Sequence, residues 1–177
     1  MRIRSGRGFT IIELLVVVTI IAVLAAMAIP GMMRARMSGN EASVIGSLRA
    51  LNGAESAYAS SCGHSGYAVT LADLAKAPAG SSQGFISPDL STDPAVKSGY
   101  SLSLFPESGA VNIGTAAATC NGSVGTPVAS YEASADPVAA GTTGLRYFAT
   151  DTRGTIFYSN TTSFGTAAIP SGATPVQ

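Results

Sequence analysis

The sequence predicts an α+β protein: a long N-terminal α-helix, membrane-spanning in its front half and amphipathic in its rear half, packed on a small antiparallel β-sheet head. Three observations predict it. From Phe9 to Met33 the chain holds one ionisable side chain, Glu13, in 25 residues. From about Met32 to Ser60 the apolar residues recur at helical spacing. After Cys62, short alternating runs separated by Gly, Pro and Ser take over, the pattern of strands and turns.

The first element is a basic leader, with Arg2, Arg4 and Arg7 ahead of Gly8. As a helix, the apolar segment behind it would reach roughly 37 Å, enough to cross a ~30 Å hydrocarbon core. An ordinary secretory signal also has a basic start and an apolar middle, and Ala26-Met27-Ala28 offers the small-x-small cleavage pattern. Two features count against that reading. The apolar stretch is longer than the usual core of a signal peptide, and Glu13 sits near its start, where a carboxylate costs up to roughly 2.5–3.5 kcal/mol in the membrane. An acid kept in such a segment points to function.

The run Gly8-Phe9-Thr10-Ile11-Ile12-Glu13-Leu14-Leu15-Val16-Val17 resembles the class III signal of type IV pilins and pseudopilins, over about residues 6–33. The resemblance implies cleavage between Gly8 and Phe9 by a membrane prepilin peptidase, N-methylation of Phe9, and a role for Glu13 in assembly. It also implies the pilin fold and homopolymerisation, with a platform and cytoplasmic ATPases as further partners. Physical chemistry supports Glu13 independently of the family. An amine and a carboxylate are each costly in a low-dielectric medium, and paired they offset much of each other's desolvation. The Phe9 amine of one subunit facing Glu13 of its neighbour would therefore set the axial register of a polymer.

Pro30-Gly31 then interrupts the apolar run, predicting a kink or local melting, because proline removes a backbone hydrogen bond and clashes with the preceding turn. Beyond it Ile45, Leu48, Leu51 and Tyr58 fall near one face, with Arg34, Arg36, Glu41, Arg49 and Glu55 expected mainly elsewhere. The two halves together would make a helix of roughly 80 Å if continuous. In the head, Thr70-Leu71-Ala72-Asp73 resembles a capping box opening a short helix to about Lys76. Strand-like runs follow at Tyr100–Phe105, Val128–Glu132, Leu145–Thr150 and Thr155–Ser159. Asp151-Thr152-Arg153-Gly154 reads as the turn of a hairpin between the last two. The expected result is an antiparallel meander on the rear of the long helix, with a loose tail from Asn160 to Gln177.

Cys62 and Cys120 are expected to form a disulfide, since the basic leader holds the N-terminus in the cytoplasm and puts the rear of the chain outside it. The bridge would close a loop of about 59 residues. Many type IV pilins instead bridge a loop near the C-terminus, so this placement departs from the common pattern.

Other chemistries fit poorly. Charged residues make up 11% of the chain and formal charge is zero. Subtracting the leader's three arginines leaves seven basic against ten acidic side chains, and only four of the basic ones lie after Cys62. That argues against a specific nucleic-acid surface. Gly80-Ser81-Ser82-Gln83-Gly84 matches the nucleophile-elbow pattern, but no strand leads into it and the one histidine, His64, precedes the serine. Cys62, His64 and Cys120 are too few for a structural zinc site. Asp89, Asp93, Glu107 and Asp136 are dispersed and expected to face solvent. Asn121-Gly122-Ser123 and Asn160-Thr161-Thr162 fit a glycosylation pattern that is frequent by chance.

The sequence thus divides into a cleaved leader (1–8), a long helix (9–61, with 9–33 as transmembrane segment and filament core) and a globular head (62–177). The expected function is a non-enzymatic, cofactor-free and metal-free pilus subunit, an inner-membrane single-pass precursor that becomes an extracellular fibre for adhesion or twitching motility. The alternatives are a pseudopilin of a type II secretion system and a soluble secreted binding protein with an ordinary signal peptide. The absence of tryptophan favours a pilus over the major pseudopilin.

Overall fold

The computed structural model describes residues 8–165, 168–170 and 172–176. The chain forms two compact units that divide between Arg36 and Met37, and one helix, α1 (Ile11–Ser61), contributes to both.

In the first unit α1 is a bare helix. Its large apolar side chains are exposed throughout, from Ile11 at 87% to Met33 at 46%. Thr19, the polar residue in mid-run, donates its hydroxyl to the Val16 carbonyl at 2.8 Å, so it needs no partner from outside the helix. α1 is the one helix among the described residues long and apolar enough to cross a membrane.

In the second unit α1 has a buried face of Val44, Leu48, Leu51, Ala54 and Tyr58, spaced three and four residues apart. That face packs into a core shared with a six-stranded antiparallel sheet in sequential order. The strands are β1 (Ala95–Lys97), β2 (Tyr100–Pro106), β3 (Tyr131–Pro137), β4 (Tyr147–Asp151), β5 (Ile156–Ser159) and β6 (Thr174–Pro175). Strand β2 shows the period of two most plainly, burying Tyr100, Leu102 and Leu104 while Ser101 and Ser103 are less covered. The short helix α2 (Leu71–Ala75) starts where the capping residues place it: Thr70 accepts the Asp73 N–H at 3.1 Å. Leu71 and Leu74 enter the core. The β4–β5 turn forms at Asp151–Gly154, closed by Gly154 N–H to Asp151 O at 2.8 Å, with Gly154 at φ +71.

The α+β architecture and the antiparallel meander agree with expectation, and the departures have physical causes. The run Val128–Glu132 predicted as a strand is replaced by Tyr131–Pro137, a stretch of small and acidic residues buried on both faces. Tyr131, Ala133 and Ala135 join the core, while Glu132 and Asp136 are bound by the C-terminal segment through Ile169 N–H (2.9 Å) and the Ser163 hydroxyl (2.6 Å). The described part of the segment from Asn160 onward also supplies β6, paired to β5. Glu41 and Glu55, placed off the apolar face by the sequence reading, are both buried. They stand seven residues either side of Leu48, hence on its face. Glu41 clamps the β3–β4 connection by accepting Leu145 N–H at 2.9 Å and the Arg146 guanidinium at 2.8 Å. Asp93 is exposed, as expected, while its carboxylate accepts the Leu71 N–H at 3.1 Å.

Candidate processing and assembly site

The residues predicted to be processed lie at the start of the first unit. Gly8, Phe9 and Thr10 are outside the helix and exposed. A peptidase needs an accessible, non-helical peptide at the bond it cuts, and the bond between Gly8 and Phe9 has that character. Arg2, Arg4 and Arg7 lie outside the described residues.

Thr10 is the helix N-cap. Its hydroxyl oxygen accepts the Glu13 N–H at 3.2 Å, and its hydroxyl faces a Glu13 carboxylate oxygen at 3.4 Å. The Thr10 side chain thus caps the helix and meets the Glu13 carboxylate, which lies in the first turn, where the helix dipole favours negative charge by about 0.3–1 kcal/mol at an exposed site. The signal was in the sequence as T-x-x-E, and the sequence reading took Glu13 alone. Among the described residues Glu13 makes no ion pair, and its carboxylate is exposed amid an apolar helix surface. Such a carboxylate is free to meet a cation from another molecule.

Pro30 lies within α1, and the helix is assigned without a break through Pro30 and Gly31. Pro30 lacks the N–H that would bond the Ala26 carbonyl, so the helix is weaker by one hydrogen bond there.

The cysteines belong to the second unit. Cys62 and Cys120 are disulfide-bonded, with Cα atoms 4.7 Å apart. Cys62 lies just past the last turn of α1, its N–H bonded to the Tyr58 carbonyl at 2.8 Å. The bridge ties this point to the 119–125 loop, which polar contacts then fix. The Tyr58 hydroxyl pairs with Ser123 Oγ at 2.7 Å, and Ser123 Oγ also donates to Asn121 Oδ1. Asn121 Nδ2 donates to the Asp73 and Lys76 carbonyls, two orphan acceptors at the end of α2. Asp73 accepts the Val124 and Gly125 N–H groups at 2.7 and 3.1 Å. Asn121, set aside in the sequence as a chance glycosylation match, is buried and structural. Gly125 permits this approach: a Cβ there would stand 1.9 Å from Val69 Cγ2.

Of the predicted residues, Gly8, Phe9 and Glu13 are adjacent at one helix start and Cys62 meets Cys120. Ser81 and Ser82 lie in an exposed loop with Ser81 Oγ donating to the Gln83 carbonyl at 3.0 Å, not on a strand–turn–helix elbow. His64 is exposed, a ring nitrogen 2.9 Å from the Ala118 carbonyl oxygen.

The prokaryotic N-terminal methylation motif matches residues 3–29. The type IV wide pilus major component PilA4 of Thermus thermophilus is 53% identical over 38 residues, covering 22% of this chain and 29% of that protein. The match therefore spans less than a third of that relative's length. No solved structure gives a significant match. The methylation motif thus falls on an exposed helix start capped by Thr10, and the similarity to known proteins, a prokaryotic methylation motif and a type IV pilus component, is confined to the N-terminal segment of the chain.

Proposed function

We propose that this chain is a structural subunit of a type IV pilus filament, cleaved between Gly8 and Phe9, N-methylated at Phe9 and polymerised through its apolar helix. The observation that carries this reading is the Gly8–Glu13 junction: an exposed non-helical bond, then a capped helix start that presents one carboxylate within an otherwise apolar run.

Cleavage creates the Phe9 amine at the same helix end. That end carries partial positive charge, so an ammonium there is unfavourable unless a carboxylate answers it. In a stack of subunits the Phe9 amine of one copy meets Glu13 of another. Displacing the pair by one helical turn would leave both charges unpaired in an apolar medium, at several kcal/mol per ion. The pair therefore selects one register while the apolar side chains, which are indifferent to register, supply the bulk of the association. Local weakening at Pro30-Gly31 would let the front half adjust to its neighbours. The partners are other copies of the chain, a prepilin peptidase, an assembly platform with its ATPases, and the inner membrane before assembly. The fibre, not the subunit, would act in adhesion or motility.

The test is to shear the cell surface, collect the released fibres and determine the N-terminal peptide by mass spectrometry. A start at Phe9 with one added methyl group, abundant in the fibre fraction, is expected. The same peptide confined to the envelope would point instead to a secretion pseudopilus, and a start at Ile29 would overturn the family-based processing altogether.

A further inference from the structure

Glu55 is the one carboxylate of α1 that is wholly buried. One oxygen, Oε2, accepts the Ala68 N–H at 2.9 Å, and the other, Oε1, is buried with no hydrogen-bond partner. An ionised carboxylate has room for about four donors, so a single backbone N–H leaves it badly under-solvated. The groups that act on it from the elements around it are acidic or neutral. Asp73 faces it from α2, Tyr131 from β3 and Tyr58 from its own helix. Asp73 is itself held by two backbone N–H groups and the Thr70 hydroxyl. The one cationisable group on the intervening segment, His64, is exposed and directed to the Ala118 carbonyl. Among the described residues Glu55 makes no ion pair.

We infer that Glu55 is a proton-dependent latch: the head closes on the neutral carboxyl, and ionisation of that group loosens the hold of α1 on the segment from Cys62 to Thr70. The neutral acid suits the site because a carboxyl group can accept the Ala68 N–H without bringing a second negative charge beside Asp73. Burial is the largest influence on the group, pushing it from the ordinary 4.5 up to about 8, with the Ala68 hydrogen bond opposing and Asp73 adding to the rise. In the unfolded chain the same carboxyl ionises in the ordinary range. The folded state therefore binds one proton more between those two values, and stability falls as pH rises across that window. It is fully present below about pH 4.5 and levels off above about pH 8. Each pH unit inside the window lowers the folding equilibrium constant about tenfold from this group alone.

The test uses the full chain in detergent micelles, comparing wild type with Glu55→Gln. The amide keeps the shape and the acceptor for Ala68 and removes the titration. Urea midpoints are measured across the window together with deuterium uptake of the 63–70 peptide. The wild type is expected to lose stability with rising pH relative to Glu55→Gln, and its 63–70 peptide to gain exchange beyond the intrinsic pH effect. Parallel pH profiles for the two proteins would overturn the latch. Should the variant not fold, infrared spectroscopy of the wild type decides: a protonated-carboxyl band persisting at about pH 7 and lost by about pH 9 is expected. Its absence at about pH 7 would overturn the inference.

Discussion

Between Ile11 and Met33, α1 leaves every large apolar side chain exposed, whereas between Glu41 and Tyr58 it buries Val44, Leu48, Leu51, Ala54 and Tyr58. The outward residues of that rear stretch are Ala42, Gly46, Arg49, Ala50, Gly53, Ser56 and Ala57. Both stretches are regular helix, so backbone propensity does not separate them. What separates them is where the apolar surface goes. The rear half is completed by its own head, and the front half leaves its apolar side chains uncovered among the described residues; under the proposed function lipid, or the same helix in other copies, would cover them. Side-chain changes should therefore have opposite signatures in the two halves, and that contrast can be broken.

The largest effect is expected from Glu13→Ala. Removing one partner of a desolvated charge pair costs roughly 3–5 kcal/mol, so assembly should fall roughly a hundredfold or more. The urea midpoint of the head and the cleavage at Gly8 should stay unchanged. The ratio of sheared fibre to membrane-held mature protein, read by immunoblot, checks it. Normal fibre yield would show that Glu13 does not set register. Thr10→Val sharpens the same point, because it removes the cap hydroxyl that holds the carboxylate while leaving the acid in place. Its loss of assembly should be smaller than that of Glu13→Ala.

The next effect belongs wholly to the head. Replacing Cys62 and Cys120 by Ser opens a loop of sequence separation 58. In the chain-entropy account this lowers head stability by about 4 kcal/mol. Urea denaturation of the oxidised wild type against the double variant measures it. A midpoint equal to wild type would mean that the Tyr58–Ser123–Asn121 contacts alone hold the loop. Membrane insertion of the front half should not change in either case.

The same contrast explains what could be read from the sequence. The helical, apolar character of the front half was legible, because a run with one charge in 25 positions has few structural solutions, although the helix begins at Ile11 and continues through Pro30-Gly31. In the head, β2, β5 and α2 were legible from local signals: alternation at Tyr100–Leu104, the Asp151–Gly154 turn, and the Thr70 cap. Strand β3 was not, since Glu132 and Asp136 are bound by residues some 30 positions later in the chain, at Ile169 and Ser163. Glu41 and Glu55 failed for the opposite reason. Their spacing from Leu48 announced a buried face, but charge type outweighed periodicity in the reading, and the compensating donors at Leu145, Arg146 and Ala68 lie far along the sequence or in a loop. At the N-terminus the T-x-x-E spacing places the Thr10 cap three residues ahead of Glu13, a local signal beside the one charge of the run.

Leu48→Ala and Leu15→Ala test the two halves with one chemical change. Leu48 is fully buried in the head core, so its truncation should cost about 2–5 kcal/mol of head stability through lost transfer energy and a cavity. Leu15 is 57% exposed, and its truncation should leave the urea midpoint of the head within about 0.5 kcal/mol of wild type. Comparable losses in the two variants would mean that the front half contributes to the folding of the head and that the division at Arg36 is not energetic.

The smallest effect has the opposite sign. Gly46 and Gly53 stand on the outward face of the rear helix, and a Cβ at either would meet nothing within 4 Å. A mid-helix glycine costs roughly 1 kcal/mol relative to alanine, so each substitution by Ala should raise head stability by up to about that amount in the dispersed subunit. No contact inside the subunit accounts for keeping glycine there. If the rear face stays in solvent when subunits assemble, Gly46→Ala should raise the midpoint and leave fibre yield untouched. If that face is covered closely by a neighbour, the same methyl should raise the midpoint and lower fibre yield. Denaturation and shearing performed on one variant therefore tell whether the self-completed half of α1 is finished by its own head alone.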